Sequence, residues 1–248
     1  MPAIIPVPAL NDNYIWLISD GARTACIDPG EAGPVLACLH RQGLRLEQIW
    51  ITHHHHDHTG GIAGLKRAFP RCTVYGNDDI AAADVLVGEG SLLHFGAHTV
   101  RVWAVPGHTG KHLAYLADLG GRTHVFCGDT LFSAGCGRIF TGTAAQLAHS
   151  FRRFDTLPPD TLFYPAHEYT AANLKFAAHI EPDNPYIIQA GQAASLPSLP
   201  VSLAHERRIN PFLRVKLLRE RAESLCGLSL PDDTAVFAAL RELKDGFS

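Results

Sequence analysis

Short apolar runs alternate with helical stretches along the first two-thirds of this chain, and the runs stop abruptly. Tyr14–Ile18 and Ala25–Ile27 read as strands, the second broken by Asp28-Pro29-Gly30. Ala32–Arg41 follows with helical character. Ile49–Thr52 is a short apolar strand running straight into His53, and Thr59–Phe69 reads as a helix closed by Pro70. Val100–Val105 alternates as a half-buried strand and stops at Pro106-Gly107. His124–Cys127 stops at Gly128-Asp129, and Thr161–Tyr164 stops at Pro165-Ala166-His167.

Four of these strands therefore end in polar clusters: His53–His58, His108, Asp129 and His167. Open sheets place ligand sites at the carboxyl ends of their strands. Four such ends can converge on one edge of a β-sandwich covered by helices. After about residue 170 the texture changes. Thr170–Ile180 is helical, and Glu181-Pro182-Asp183-Asn184-Pro185 breaks it. Residues 190–201 read as an Ala/Ser/Pro/Gly-rich loop, and Arg214–Leu225 and Asp233–Lys244 are helical again. The pattern predicts an α/β (α+β) domain over 1–168 and a smaller, mostly helical domain over 169–248.

Composition narrows the class. With 248 residues, 46% hydrophobic and 18% charged, the chain has a packed core and is not disordered. Lys+Arg 21 against Asp+Glu 24 leaves a net charge of -3, too balanced for a nucleic-acid binder. No apolar run approaches the roughly 20 residues of a membrane helix. The start, Met1-Pro2-Ala3-Ile4-Ile5-Pro6, lacks the basic and apolar regions of an export signal, so export is not expected. Six dispersed cysteines form no C-x-x-C pair and are read as reduced, in the cytoplasm. The unusual number is 15 histidines.

Thr52-His53-His54-His55-His56-Asp57-His58 concentrates the candidate chemistry. On an extended segment alternate residues point the same way, so His53 and His55 can share one metal ion. Asp57 and His58 follow at the turn and can serve a second. Imidazole and carboxylate suit zinc, iron or manganese. Surface metal buffering, or Asp57 as a helix cap before Gly60-Gly61, are the plainer readings. His108, Asp129 and His167 taken singly can be turn or core residues. Their force comes from order, since each follows a predicted strand.

With these residues in view, the chain resembles the metallo-β-lactamase superfamily through T-H-x-H-x-D-H, and within it the glyoxalase II family. Three further stretches carry the narrower resemblance: Gly128–Arg138, His167–Ala177 and Arg241–Phe247. It implies an αββα sandwich followed by a helical domain. It also implies two divalent metal ions per chain, with zinc first and iron or manganese as alternatives. His53, His55 and His108 would hold one, Asp57, His58 and His167 the other, and Asp129 would bridge them. Two such ions activate water and stabilise a developing oxyanion, so no protein nucleophile is needed. Asp57 would orient or accept the proton. Cys127 and Cys136 are read as structural.

The resemblance further implies a glutathione thioester as substrate, held by Arg138, Tyr169, Arg241 and Lys244. Cations binding carboxylates by charge-assisted hydrogen bonds give this a physical basis. Arg241 and Lys244 share a helix face, opposite an apolar stripe of Val236, Phe237, Leu240 and Leu243. Two departures stand out. Many family members carry Thr-x-Gly-His where this chain has Thr109-Gly110-Lys111-His112, and Phe140 stands where some carry a tyrosine. The expected reaction is hydrolysis of S-D-lactoylglutathione by a monomer, in methylglyoxal detoxification. A glutathione persulfide dioxygenase, or another metallo-β-lactamase-fold hydrolase, is the alternative.

Overall fold

The computed structural model describes residues 2–21, 23–193 and 196–247. The chain forms two compact units. One comprises residues up to Ala104 together with Lys111–Gly128, and the other Val105–Gly110 together with the residues from Asp129 on.

The first unit begins with β1 (Ala3–Ala9), β2 (Asn13–Asp20), β3 (Arg23–Ile27), α1 (Ala32–Gln42) and β4 (Arg45–Trp50). The short α2 (His56–Thr59), α3 (Ile62–Ala68), β5 (Thr73–Gly76) and β6 (Val85–Leu86) follow. It ends with β7 (Leu92–Phe95), β8 (His98–Ala104), β9 (Leu113–Leu119) and β10 (Arg122–Gly128). Strands β1 to β6 form one mixed sheet in sequence order. The β1/β2 and β2/β3 pairs are antiparallel, and β3/β4, β4/β5 and β5/β6 are parallel. Strands β7 to β10 are an antiparallel meander. Val35, Cys38 and Leu39 of α1 and Leu65 of α3 pack with Leu17, Ile49 and Val74 on one face of the mixed sheet. On its other face Trp50 meets the rings of Phe95, Tyr115 and Phe126 from the meander. A strand buried on both faces reads as a continuous apolar run, as in Tyr14–Ile18 of β2.

The second unit contains the β11/β12 hairpin (Leu131–Phe132 and Gly135–Cys136), α4 (Ala144–Phe154), β13 (Leu162–Pro165), α5 (Thr170–Ile180) and α6 (Pro185–Ala193). It closes with β14 (Val201–Ser202), α7 (Leu203–Ile209), α8 (Val215–Cys226) and α9 (Asp233–Asp245). Phe151 and Phe237 pack edge to face, and both rings meet Phe212. Helix α4 starts at a capping box, with Thr143 and Gln146 each bonding the other's backbone N–H.

Three expectations change. Strand β4 ends at Trp50: Ile51 N still bonds Tyr75 O of β5, but the next amide, of Thr52, turns to the side chain of Asp28. The helix expected over Thr59–Phe69 is broken at Gly60-Gly61. There Gly61 bonds Pro29 O, and a Cβ would overlap the backbone of Pro29–Ala32. The loop expected from residue 190 begins later, since α6 runs to Ala193.

Candidate metal centre

Beyond β4 the backbone is held from both sides. Tyr115 donates its hydroxyl to Ile51 O at 2.8 Å, and Leu113 N donates to Thr52 O at 2.8 Å. His53 follows, fully buried. Its orientation is fixed by a relay. Thr52 Oγ1 gives its only proton to Asp28 Oδ2 at 2.7 Å. It must therefore accept from His53 Nδ1, 3.0 Å away. That leaves a lone pair on His53 Nε2, which faces His55 Nδ1 at 2.9 Å. Two imidazole nitrogens on one tetrahedral ion stand about 3.3 Å apart, given bonds of about 2.0–2.1 Å. The observed pair is close to that.

His53 and His55 lie on the same side, with His54 turned away and exposed, as alternation along an extended segment predicts; His55, the N-cap of α2, keeps an extended backbone with φ −59 and ψ 146. Asp57 and His58 lie in the first turn of that helix, so Asp57 is not its cap. Asp57 Oδ2 accepts from Asn13 Nδ2 at 3.2 Å and lies 3.4 Å from His58 Nε2. Asp28 Oδ2 stands 3.1 Å from the other His58 nitrogen. His54 and His56 are exposed, and His54 reaches Asp79 at 3.2 Å. Gly30 lets this turn approach, since a Cβ there would overlap Asp57 O.

His108, Asp129 and His167 form a second set. His108 Nδ1 donates to Arg138 O at 2.6 Å, so its Nε2 also carries a lone pair. That nitrogen lies 3.5 Å from Asp129 Oδ2, and His167 Nε2 lies 3.4 Å from the same oxygen. In the neutral ring that lone pair and the carboxylate oxygen repel, and a proton or a metal ion between them relieves this. All three residues are buried.

Among the described residues the donor atoms fall into three groups: His53, His55 and His108; His53, His58 and Asp129; and Asp57, His58 and His167. Within each group all the atoms lie within 4.8 Å of one another. These imidazole and carboxylate donors, several with the second ring nitrogen already engaged, fit divalent ions of the zinc, iron or manganese type. Sequence reading missed Asp28 and Asn13. The Asp28-Pro29-Gly30 triplet signalled only a turn, although Asp28 has φ +53 and is 3% exposed. Burial pushes the Cys136 thiol up to about 11, which makes it a poor nucleophile at neutral pH.

The four residues expected at the substrate are all in the second unit. Tyr169 stacks on His167, ring centroids 4.8 Å apart. Arg138 Nε lies 3.4 Å from Asp245 Oδ1 and is largely exposed. Lys244 Nζ sits 5.2 Å from the centre of the Phe176 ring. Arg241 departs from the expected exposed face: it is 5% exposed. Its Nη1 donates to Cys136 O at 3.0 Å and its Nη2 to Asp245 Oδ1 at 2.9 Å. The buried face of α9 is wide enough to include Ala239, Leu240 and Arg241, and these acceptors offset the cost of burying the guanidinium. Lys111, from the departing loop, pairs with Asp78 at 2.6 Å.

The fold and donor set define a member of the metallo-β-lactamase superfamily, whose model matches residues 10–167. Residues 168–247 match the hydroxyacylglutathione hydrolase C-terminus. A hydroxyacylglutathione hydrolase of Neisseria meningitidis serogroup A is 58% identical over 247 residues, covering 98% of this chain and 99% of that protein. Among solved structures, ETHE1 from Myxococcus xanthus has 28% identity and a TM-score of 0.65, covering 98% of each chain. TTHA1623, in a di-iron-bound form, has 26% identity and a TM-score of 0.63, covering 84% of this chain and all of that one. The chain belongs to the hydroxyacylglutathione hydrolase (glyoxalase II) family and is a thioester hydrolase.

Proposed function

We propose that His53, His55 and His108 hold one divalent ion, that Asp57, His58 and His167 hold a second, and that Asp129 bridges them. The observation that carries this is the pair of approaches to Asp129 Oδ2, from His108 Nε2 at 3.5 Å and His167 Nε2 at 3.4 Å. One oxygen thus serves a histidine of each group. Zinc is the first choice, and iron or manganese suit the same donors, which include no thiolate. When bound, such a pair lowers the pKa of coordinated water toward 7 and polarises a carbonyl oxygen.

The chain's own residues do the rest. Asn13 anchors Asp57 by its Oδ2. Asp57 is the group proposed to orient the water and take its proton. Arg138, Arg241 and Lys244 gather around the single carboxylate of Asp245, leaving a surplus of positive charge. That surplus suits the carboxylates of glutathione, with Tyr169 beside them. The substrate is S-D-lactoylglutathione or a similar 2-hydroxyacyl-glutathione, and the products are D-lactate and glutathione, in methylglyoxal detoxification. The domains run 1–168 for the metal chemistry and 169–248 for glutathione. The chain works as a monomer in the cytoplasm, with no nucleic acid or membrane partner. Its six cysteines form no disulfide, and no helix among the described residues is long and apolar enough to cross a membrane.

The test compares hydrolysis of S-D-lactoylglutathione with hydrolysis of the same acyl group on a simple thiol. A strong preference for the glutathione ester supports the reading. Equal rates, or oxygen uptake with glutathione persulfide in place of thioester cleavage, would refute it.

A further inference from the structure

Glu206, in α7, is fully buried and has no cation among its hydrogen-bond partners. Burying a carboxyl is costly unless donors satisfy it, and an apolar side chain fills the same space without that penalty. What Glu206 meets is the tip of the β11/β12 hairpin. Its Oε2 accepts from Ala134 N at 2.8 Å, and its Oε1 lies 3.1 Å from Ser133 Oγ. One helical turn on, Asn210 Nδ2 donates to Phe132 O at 3.1 Å, to Gly135 O at 3.0 Å and to Glu206 Oε2 at 2.9 Å. The two side chains clamp both sides of the turn.

The tip needs a clamp. Ala134 has φ +55, a left-handed conformation disfavoured for a residue with a Cβ. Its methyl is packed with Leu174, Ala177, Ile187 and Ile209, so the tip is driven into an apolar core where its N–H requires an acceptor. Burial pushes the Glu206 carboxyl up to about 7, partly offset by the hydrogen bonds from Asn210, Ala134 and Ser133.

The other end of the hairpin carries the site. Each strand is two residues long, in the register Leu131↔Cys136 and Phe132↔Gly135. Two residues before Leu131 is Asp129. Two residues after Cys136 is Arg138, whose carbonyl fixes the proton of His108 on Nδ1. Gly137 ties the base together by donating to Thr130 O at 3.1 Å, and a Cβ there would overlap Asp129 O. A strand pair this short has no slack, so a shift at its tip moves Asp129 and the Arg138 carbonyl together.

We propose that Glu206, with Asn210, is a positioning residue for the metal centre: by clamping the tip of the β11/β12 hairpin it sets Asp129 and the orientation of His108. This rests on the reading of the site as a two-metal centre. The sequence offered no sign of it, because Glu206 lies among charged residues of a short helix, and its partners at the tip are more than 70 residues away.

The experiment compares wild type, Glu206→Ala, Glu206→Gln and Ser133→Ala, all loaded with metal. Metal content per folded chain, the rate of metal loss to a chelator, kcat, KM and Tm are read for each. Outer partners of metal ligands are worth about 10- to 100-fold in affinity or activity. Glu206→Ala should therefore lose metal about 10-fold faster and lose about 10-fold in kcat, with KM within about 2-fold. Glu206→Gln should recover both, since its amide can accept from Ala134 N and donate to Ser133 Oγ. If Glu206→Ala does not fold, Ser133→Ala gives the same reading with one anchor removed. Metal retention and kcat should then fall at unchanged KM. A lower Tm with unchanged metal retention and kcat would overturn the proposal. A wild type that holds no metal would sink the reading of the site itself, and the proposal with it.

Discussion

Asp28 faces two histidines of the candidate centre through one carboxylate oxygen. Its Oδ2 accepts from Thr52, which sets the proton on His53, and stands 3.1 Å from His58. Replacing it with Asn keeps the shape and tolerates the positive φ, but puts an amide donor where Thr52 and His58 need an acceptor. Asp28→Asn should lower metal affinity about 10- to 100-fold, read by competition with a chelator, while the protein stays folded. Normal affinity would remove Asp28 from the account. Glu206 makes a second prediction at this scale. Its folded value of about 7 lies above the ordinary 4.5. The stability it contributes is therefore fully present below about 4.5 and is lost as pH rises through about 7. The difference is worth about 3 kcal/mol. Urea denaturation at pH 4.5 and 7.5 should show this slope in wild type relative to Glu206→Gln, and parallel pH profiles would contradict it. Neither role was legible in the sequence: Asp28 also follows an apolar run, but within Asp28-Pro29-Gly30 it reads as a turn, and Glu206 acts on a hairpin tip more than 70 positions away. The histidines and Asp129 were legible because each follows the end of an apolar strand.

The helix after His55 matters for where it breaks. Gly60-Gly61 separates α2 from α3 so that the chain can lie against Pro29–Ala32. A Cβ at Gly61 would approach Glu31 C and Pro29 O to 2.6 Å, and backbone atoms do not yield as side chains do. Gly61→Ala should destabilise by about 1–3 kcal/mol in denaturant unfolding. A neutral effect would mean that the approach relaxes freely. From the sequence alone the two glycines were tolerable inside one helix, and only the neighbouring turn rules that out. Helix α4 was overlooked although its signal was present, since Thr143-x-x-Gln146 before an apolar run is a capping box. Helix α9 was read correctly as an element, but Arg241 was given the wrong exposure. Its two cations should now differ. Lys244→Ala should raise KM for the glutathione thioester, by up to the 10- to 150-fold in kcat/KM that about 1.5–3 kcal/mol implies, and do so less at high salt. Arg241→Ala should also lower Tm, because Cys136 O and Asp245 lose a buried donor. Identical behaviour of the two variants would contradict the difference in burial.

For the molecule as a whole, balanced charge and 15 histidines favour metal chemistry over nucleic-acid binding. The rule that sites gather at the carboxyl ends of strands brought His53, His108, Asp129 and His167 into one expectation, despite their spread over more than a hundred residues. It was silent on how the ring protons are placed, because that depends on a carbonyl and a turn aspartate brought close only by folding, the aspartate acting on His53 through the adjacent Thr52. The central claim is that seven residues hold two ions with Asp129 shared between them. The most direct measurement is metal content per folded chain together with thioester turnover, on the same samples of wild type and Asp129→Ala. Two ions and turnover are expected in wild type, and loss of at least one ion with turnover abolished in the variant. A variant that keeps two ions and a near-normal rate would contradict it.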